Sequence, residues 1–307
     1  MSAVKKFYRN IALFSLPVLL LLLVWPMDSR QQFQGLSGDC FGHGLWIHDR
    51  LSDPSNKQDI VFIGSSRTLN GVDDSLIQAE LPNGDQQVLN LGYCRLGRNI
   101  SSVLLKKTPQ AGSIKQLVLE VREDEDRYSH PVFPYMASTK EVCLANPFFN
   151  PDLFSDCWTH FVYKLELTQD QLYDQQPLPP LSTATFGQAR QLDTMPLAQL
   201  EQAVSQRRTH KVSGWQRDFY LNFPRSYLQH IHQICQDNNI QLSFLYLPAF
   251  GNASALPKEA NTYQEYGDLW LPPAALFEEP THWYDDQHLN QTGANKLSQW
   301  LSQRLQQ

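Results

Sequence analysis

No stripe of lysine and arginine runs along this chain, and its formal net charge is −6. The phosphate-neutralising surface of a nucleic-acid binder is therefore missing, and no nucleic-acid partner is expected. Charged residues make up only 18% of the sequence against 42% apolar. That is too little charge for a disordered chain, and enough apolar material for one large α/β domain or one domain with a sizeable insertion. Cysteine is sparse too. The five present form no CxxC and no Cys/His cluster at zinc spacing, so neither a metal nor another cofactor is expected.

The long apolar run that is present lies at the start. Ile11 to Met27 is almost unbroken and follows Lys5, Lys6 and Arg9, which by the positive-inside rule predicts an N-terminus in the cytoplasm with the remainder sent across. Pro17 interrupts the run, and a cleaved signal peptide is the competing reading, but the flank VWPMDSR has no small-x-small cleavage site. The expectation is a membrane anchor over residues 1–30 and a domain over 31–307 on the periplasmic or extracytoplasmic side of the inner membrane. Export would let Cys143 and Cys157 staple a loop, with Cys40 as an alternative partner. Cys94 and Cys235 read as small buried residues.

QDIVFIG (58–64), QVLNLG (87–92) and QLVLEV (116–121) are short apolar runs of the kind that become buried parallel strands. Helices are predicted between them at 74–81 and 98–107. The alternation predicts a parallel sheet with helices on its faces. The pattern breaks over about 126–215, too long for an ordinary connection, and reads as an insertion after the third strand. It resumes with a helix in RSYLQHIHQICQDN and a strand in IQLSFLYLP. His230 and His232 on that helix are two apart and point in different directions, which argues against a shared metal. After a loop-like stretch to Pro280, WYDDQHLNQTGANKL leads into a terminal helix whose Leu297, Trp300, Leu301 and Leu305 form an apolar face.

Two short stretches carry chemistry. In IVFIGSSRTLN (60–70) a serine follows a strand and a glycine, at the carboxyl end where open α/β sheets collect ligands. A serine hydroxyl needs a base, and the base needs an acid to hold its tautomer. Asp285 lies three residues before His288, so a tight turn can bring its carboxylate to one ring nitrogen. Asp286 would point elsewhere, and its replacement by Asn is expected to be nearly silent. The blander readings are turn chemistry at Gly-Ser-Ser and capping by Asn290. His282 adds a His-x-x-Asp-x-x-His metal alternative that lacks a further ligand.

The GSS element after the first strand, NLGYCRLG after the second, and D-x-x-H-L-N before the last helix resemble the SGNH (GDSL-type) hydrolase superfamily. The nearest likeness is to membrane-anchored polysaccharide O-acetylation proteins and the teichoic acid D-alanine transfer protein. It covers roughly 58–125 and 225–305. It implies a three-layer α/β/α fold with Ser66 as nucleophile and Ser65 where the family carries aspartate. His288 and Asp285 would complete the triad, and the N–H groups of Ser66 and Gly92, in the block that includes Asn90 and Gly97, would form the oxyanion hole. Where the family has an oxyanion Asn after the third strand this chain reads EVREDEDR, with Arg122 available as a charged substitute. The implied activity is O-acyl transfer or ester hydrolysis on a cell-surface polysaccharide, or with an acyl carrier, beside a membrane-bound O-acyltransferase. The alternative is a non-catalytic accessory or scaffold for such an acyltransferase.

Overall fold

The computed structural model describes residues 3–24, 32–33, 36, 42–52, 58–82, 86–107, 114–143, 150–173, 191–207, 214–253 and 255–307. Its centre is a five-stranded sheet, parallel throughout, in the order β2-β1-β3-β4-β5. The strands are β1 (Ile60–Ile63), β2 (Val88–Asn90), β3 (Gln116–Val121), β4 (Gln241–Tyr246) and β5 (Asp268–Trp270). The helices are α1 (Ala3–Val24), α2 (Gly44–Ser52), α3 (Ser66–Gly71), α4 (Asp74–Glu80), α5 (Arg98–Lys107), α6 (Phe133–Met136), α7 (Thr139–Cys143), α8 (Leu153–Tyr173), α9 (Leu197–Gln206), α10 (Trp215–Asp237), α11 (Ala260–Tyr266), α12 (Ala274–Glu278) and α13 (Gln291–Leu305).

Successive strand residues face opposite sides of a sheet, so a strand buried on both faces is apolar throughout. Val61, Ile63, Leu117, Leu119, Leu242 and Phe244 enter one core with side chains of α2, α5 and α10. Ile60, Phe62, Val118 and Leu245 enter the other, against α4, α9, α12 and α13. The result is a three-layer α/β arrangement. Because β2 and β3 flank β1 on opposite sides, the chain reverses its direction of travel there. The carboxyl ends of β1 and β3 at that reversal are the usual ligand position of such a sheet.

Several expectations change. Among the described residues no helix is long and apolar enough to cross a membrane. The segment expected as an anchor does form α1, but its first third holds Lys5, Lys6 and Arg9, so the apolar part of α1 is shorter than the roughly 20 residues that a span needs. A bilayer core is about 30 Å thick. The single-pass inner-membrane placement is corrected accordingly. Cys143 and Cys157 are free thiols, not a disulfide. Burial, then the adjoining Cys143 thiol, pushes Cys157 up to about 11. Cys94, expected as a simple buried residue, is disulfide-bonded, and Cys40 lies outside the described residues. Within the stretch read as an insertion, Val132, Phe133, Met136 and Val142 join one core while Leu200 joins the other.

Candidate active site

β1 runs into Gly64, Ser65 and then Ser66, the first residue of α3. A Cβ on Gly64 would meet Thr68 Oγ1 at 2.0 Å and Glu120 Oε2 at 2.5 Å, so this turn has no room for a side chain. Ser65 caps α3 by accepting from Arg67 N–H at 3.0 Å. It also donates through N–H and Oγ to Glu120, at 2.7 Å and 2.6 Å. Thr68 donates to the same carboxylate through N–H at 3.1 Å and Oγ1 at 2.6 Å, and Arg122 Nε donates to it at 2.7 Å. Glu120 thus anchors the Ser65–Ser66 turn from the neighbouring strand. Burial raises its carboxyl, but the Arg122 charge and the Ser65 and Thr68 hydrogen bonds outweigh that and hold it at about 2.

On the other side, Trp283 is fully buried and bridges antiparallel to Leu289, closing the loop between them. Asn290 caps α13 by accepting from Gly293 N–H at 3.1 Å. Within the loop, Asp285 Oδ1 accepts from the backbone N–H of Gln287 and His288 at 2.7 and 2.8 Å. Its Oδ2 lies 2.8 Å from His288 Nδ1. Burial raises the Asp285 carboxyl, and the His288 contacts reverse this and hold it below the ordinary range. The opposite ring nitrogen, Nε2, lies 2.7 Å from Ser66 Oγ. Serine, imidazole and carboxylate are joined in one line, with 26% of the His288 and 30% of the Asp285 side chain open to solvent.

Not every anticipated group faces Ser66 and His288. Gly92 N–H donates to Asn90 Oδ1 at 2.8 Å and is turned inward. A Cβ there would strike the Leu69 backbone N at 2.4 Å, so the glycine serves close packing of the β2 loop against α3. Asn90 is buried and donates to the carbonyls of Thr68 and Val72 at 3.0 and 2.7 Å, which makes it a structural tie. Arg122 does reach the turn, through Nη2 to Ser65 Oγ, with 24% of its side chain exposed. His282 is turned away, its Nδ1 2.8 Å from Leu276 O.

Sequence reading missed Arg67. This buried guanidinium follows Ser66 and donates to Glu123 Oε2 at 2.9 Å, to Leu247 O at 2.7 Å and to Gln287 Oε1 in the histidine loop. Burial, then the Arg122 charge, lowers its pKa against the pull of Glu123 and Glu120. Nothing in the spacing of GSSRTLN distinguishes such an arginine from a solvated one.

The fold and site together define an α/β protein with a Ser-His-Asp constellation at the carboxyl edge of a parallel sheet. No protein family and no curated protein matches the chain. A solved structure described as "The structure of a putative platelet activating factor from Streptococcus pneumonia" aligns at a TM-score of 0.33 and 15% identity, over 86% of this chain and 90% of its own. A likeness that slight carries no argument about activity.

Proposed function

We propose that this protein is an SGNH-type serine acyl-transfer enzyme, an O-acyltransferase or esterase, working through an acyl-enzyme on Ser66. The observation that carries the reading is the 2.7 Å contact between Ser66 Oγ and His288 Nε2, with Asp285 on the other ring nitrogen. His288 takes the Ser66 proton as the oxygen attacks an ester carbonyl, and Asp285 fixes the tautomer and balances the imidazolium. The same proton then goes to the departing alcohol. An acceptor hydroxyl or water reverses the steps. Ser66 N–H opens α3, takes no part in the helical ladder, and is one donor for the oxyanion. Arg122, beside the turn, adds positive charge where the family carries an Asn. The solvent-open triad suits a bulky acyl acceptor such as a polysaccharide hydroxyl.

One observation favours a second reading. With Gly92 N–H committed to Asn90 and no Asn after β3, the oxyanion site is sparse, as befits an accessory protein that presents a polymer to a separate acyltransferase. Losing one oxyanion donor costs roughly 10²- to 10³-fold in turnover. Hydrolysis of an aryl acetate decides between them. In the enzyme reading, Ser66→Ala and His288→Ala fall to the same residual rate, because members of one unit are not additive, and Asp285→Asn loses less. Equal rates in wild type and Ser66→Ala would establish the accessory reading.

A further inference from the structure

The segment 191–207 lies within the stretch read as an insertion, yet it holds the histidine loop on both flanks. Met195 N–H donates to Trp283 O at 3.0 Å, ahead of the loop. Behind it, Gln291 N–H donates to Gln191 O at 2.8 Å and Asn290 Nδ2 to Thr194 Oγ1 at 2.9 Å. Leu200 of α9 is fully buried in the core that also holds Trp283, Leu289 and Leu297. Arg207, the C-cap of α9, reaches the loop itself. Its Nε and Nη2 donate to Asp286 Oδ2 at 3.1 and 2.7 Å, and Nη2 also to the carbonyls of Asp286 and Phe250, each at 3.2 Å. Phe250 N–H closes the set on Asp286 O at 3.1 Å.

From Asp286 the contacts continue to the nucleophile. Its Oδ2 accepts from Gln287 Nε2 at 2.8 Å, and Gln287 Oε1 accepts from Arg67, the residue after Ser66. The four-residue run from Asp285 to His288 is therefore held at its two middle residues, Asp286 by Arg207 and Gln287 by Arg67. We infer that segment 191–207 is a strap, and that Arg207, acting through Asp286, is a positioning residue that sets where His288 stands relative to Ser66. The inference rests on the serine acyl-transfer reading of that site. The ion pair is about four-fifths buried, 21% and 22% exposed. As a part-exposed pair it contributes little to overall stability. A misplacement of about 1 Å at reacting atoms, by contrast, costs about 10²-fold in rate. The strap's effect should then appear in turnover rather than in folding.

The test uses the full chain, aryl acetate hydrolysis, and the rate at which a fluorophosphonate labels Ser66. Arg207→Ala and Asp286→Asn should each lower kcat and the labelling rate about 10- to 100-fold, with KM and the thermal midpoint little changed. The double variant should be no slower than the worse single one, since both cut the same link. Arg207→Lys, whose ammonium still reaches a carboxylate, should recover part of the loss. Rates for Arg207→Ala within about twofold of wild type, with Ser66→Ala inert, would overturn the strap and leave the serine reading standing. A loss that tracks a fall in the thermal midpoint, with no recovery in Arg207→Lys, would also overturn it, by making the contact merely structural. Activity surviving in Ser66→Ala would overturn the underlying reading, and the strap with it.

Discussion

Glu120 keeps a negative charge without exposed surface because Ser65, Thr68 and Arg122 surround it with five donors. Removing it would orphan those groups around Ser66. With its carboxyl at about 2 instead of 4.5, the folded chain binds fewer protons than the unfolded one between those values. The stability it contributes, about 3 kcal/mol, is complete above about pH 4.5 and is lost as pH falls toward 2. Glu123, also held at about 2, acts in the same window. Glu120→Gln should therefore lower stability at pH 7 and flatten, without abolishing, the fall between pH 4.5 and 2. Urea titrations at the two ends of that window check it, and an unchanged slope would count against it. Ser66, Asp285 and His288 were legible in the sequence because each sits at a fixed offset from a strand or helix end. The work of Glu120, Arg67 and Asp286 was not, since each is defined by a partner dozens or hundreds of residues away. Asp286 points away from His288, as expected, and holds Arg207.

The strands at 60–63, 88–90, 116–121 and 241–246 show in the sequence as buried apolar runs, and α5 falls on the residues read as a helix. β5 does not show, because three residues are too few to reveal a period. The 21 residues of α8 lie in a stretch that the sequence marks only as an interruption of the strand-helix pattern. One buried pair ties three elements. Arg98, at the start of α5, donates to Glu125 after β3 at 2.7 and 3.0 Å, and Tyr263 of α11 donates to the same carboxylate at 2.7 Å. Both charged side chains are essentially inaccessible. Arg98→Ala removes the ion-pair partner of the buried Glu125 and should cost about 3–5 kcal/mol in a denaturant titration. A cost under about 1 kcal/mol would mean that the pair is hydrated. At α13, Asn290→Ala should lose about 1 kcal/mol from the cap alone, more because its amide also binds Thr194 and Thr281.

Across the whole molecule, residues 222 positions apart meet because the chain reverses at β1 and returns through β4 and α13 to the same edge of the sheet. That convergence could be anticipated only through the likeness of three short blocks, since neither composition nor periodicity carries strand order. The strap was beyond reach, because its segment lies outside the alternating pattern and its contacts are to backbone as much as to side chains. The claim on which the rest depends is that this convergence makes Ser66 a nucleophile. The most direct measurement is peptide mapping by mass spectrometry after the intact chain reacts with a fluorophosphonate. A single adduct on Ser66, absent in Ser66→Ala and formed far more slowly in His288→Ala, is the predicted result. No adduct on Ser66, or equal labelling in His288→Ala, would contradict it.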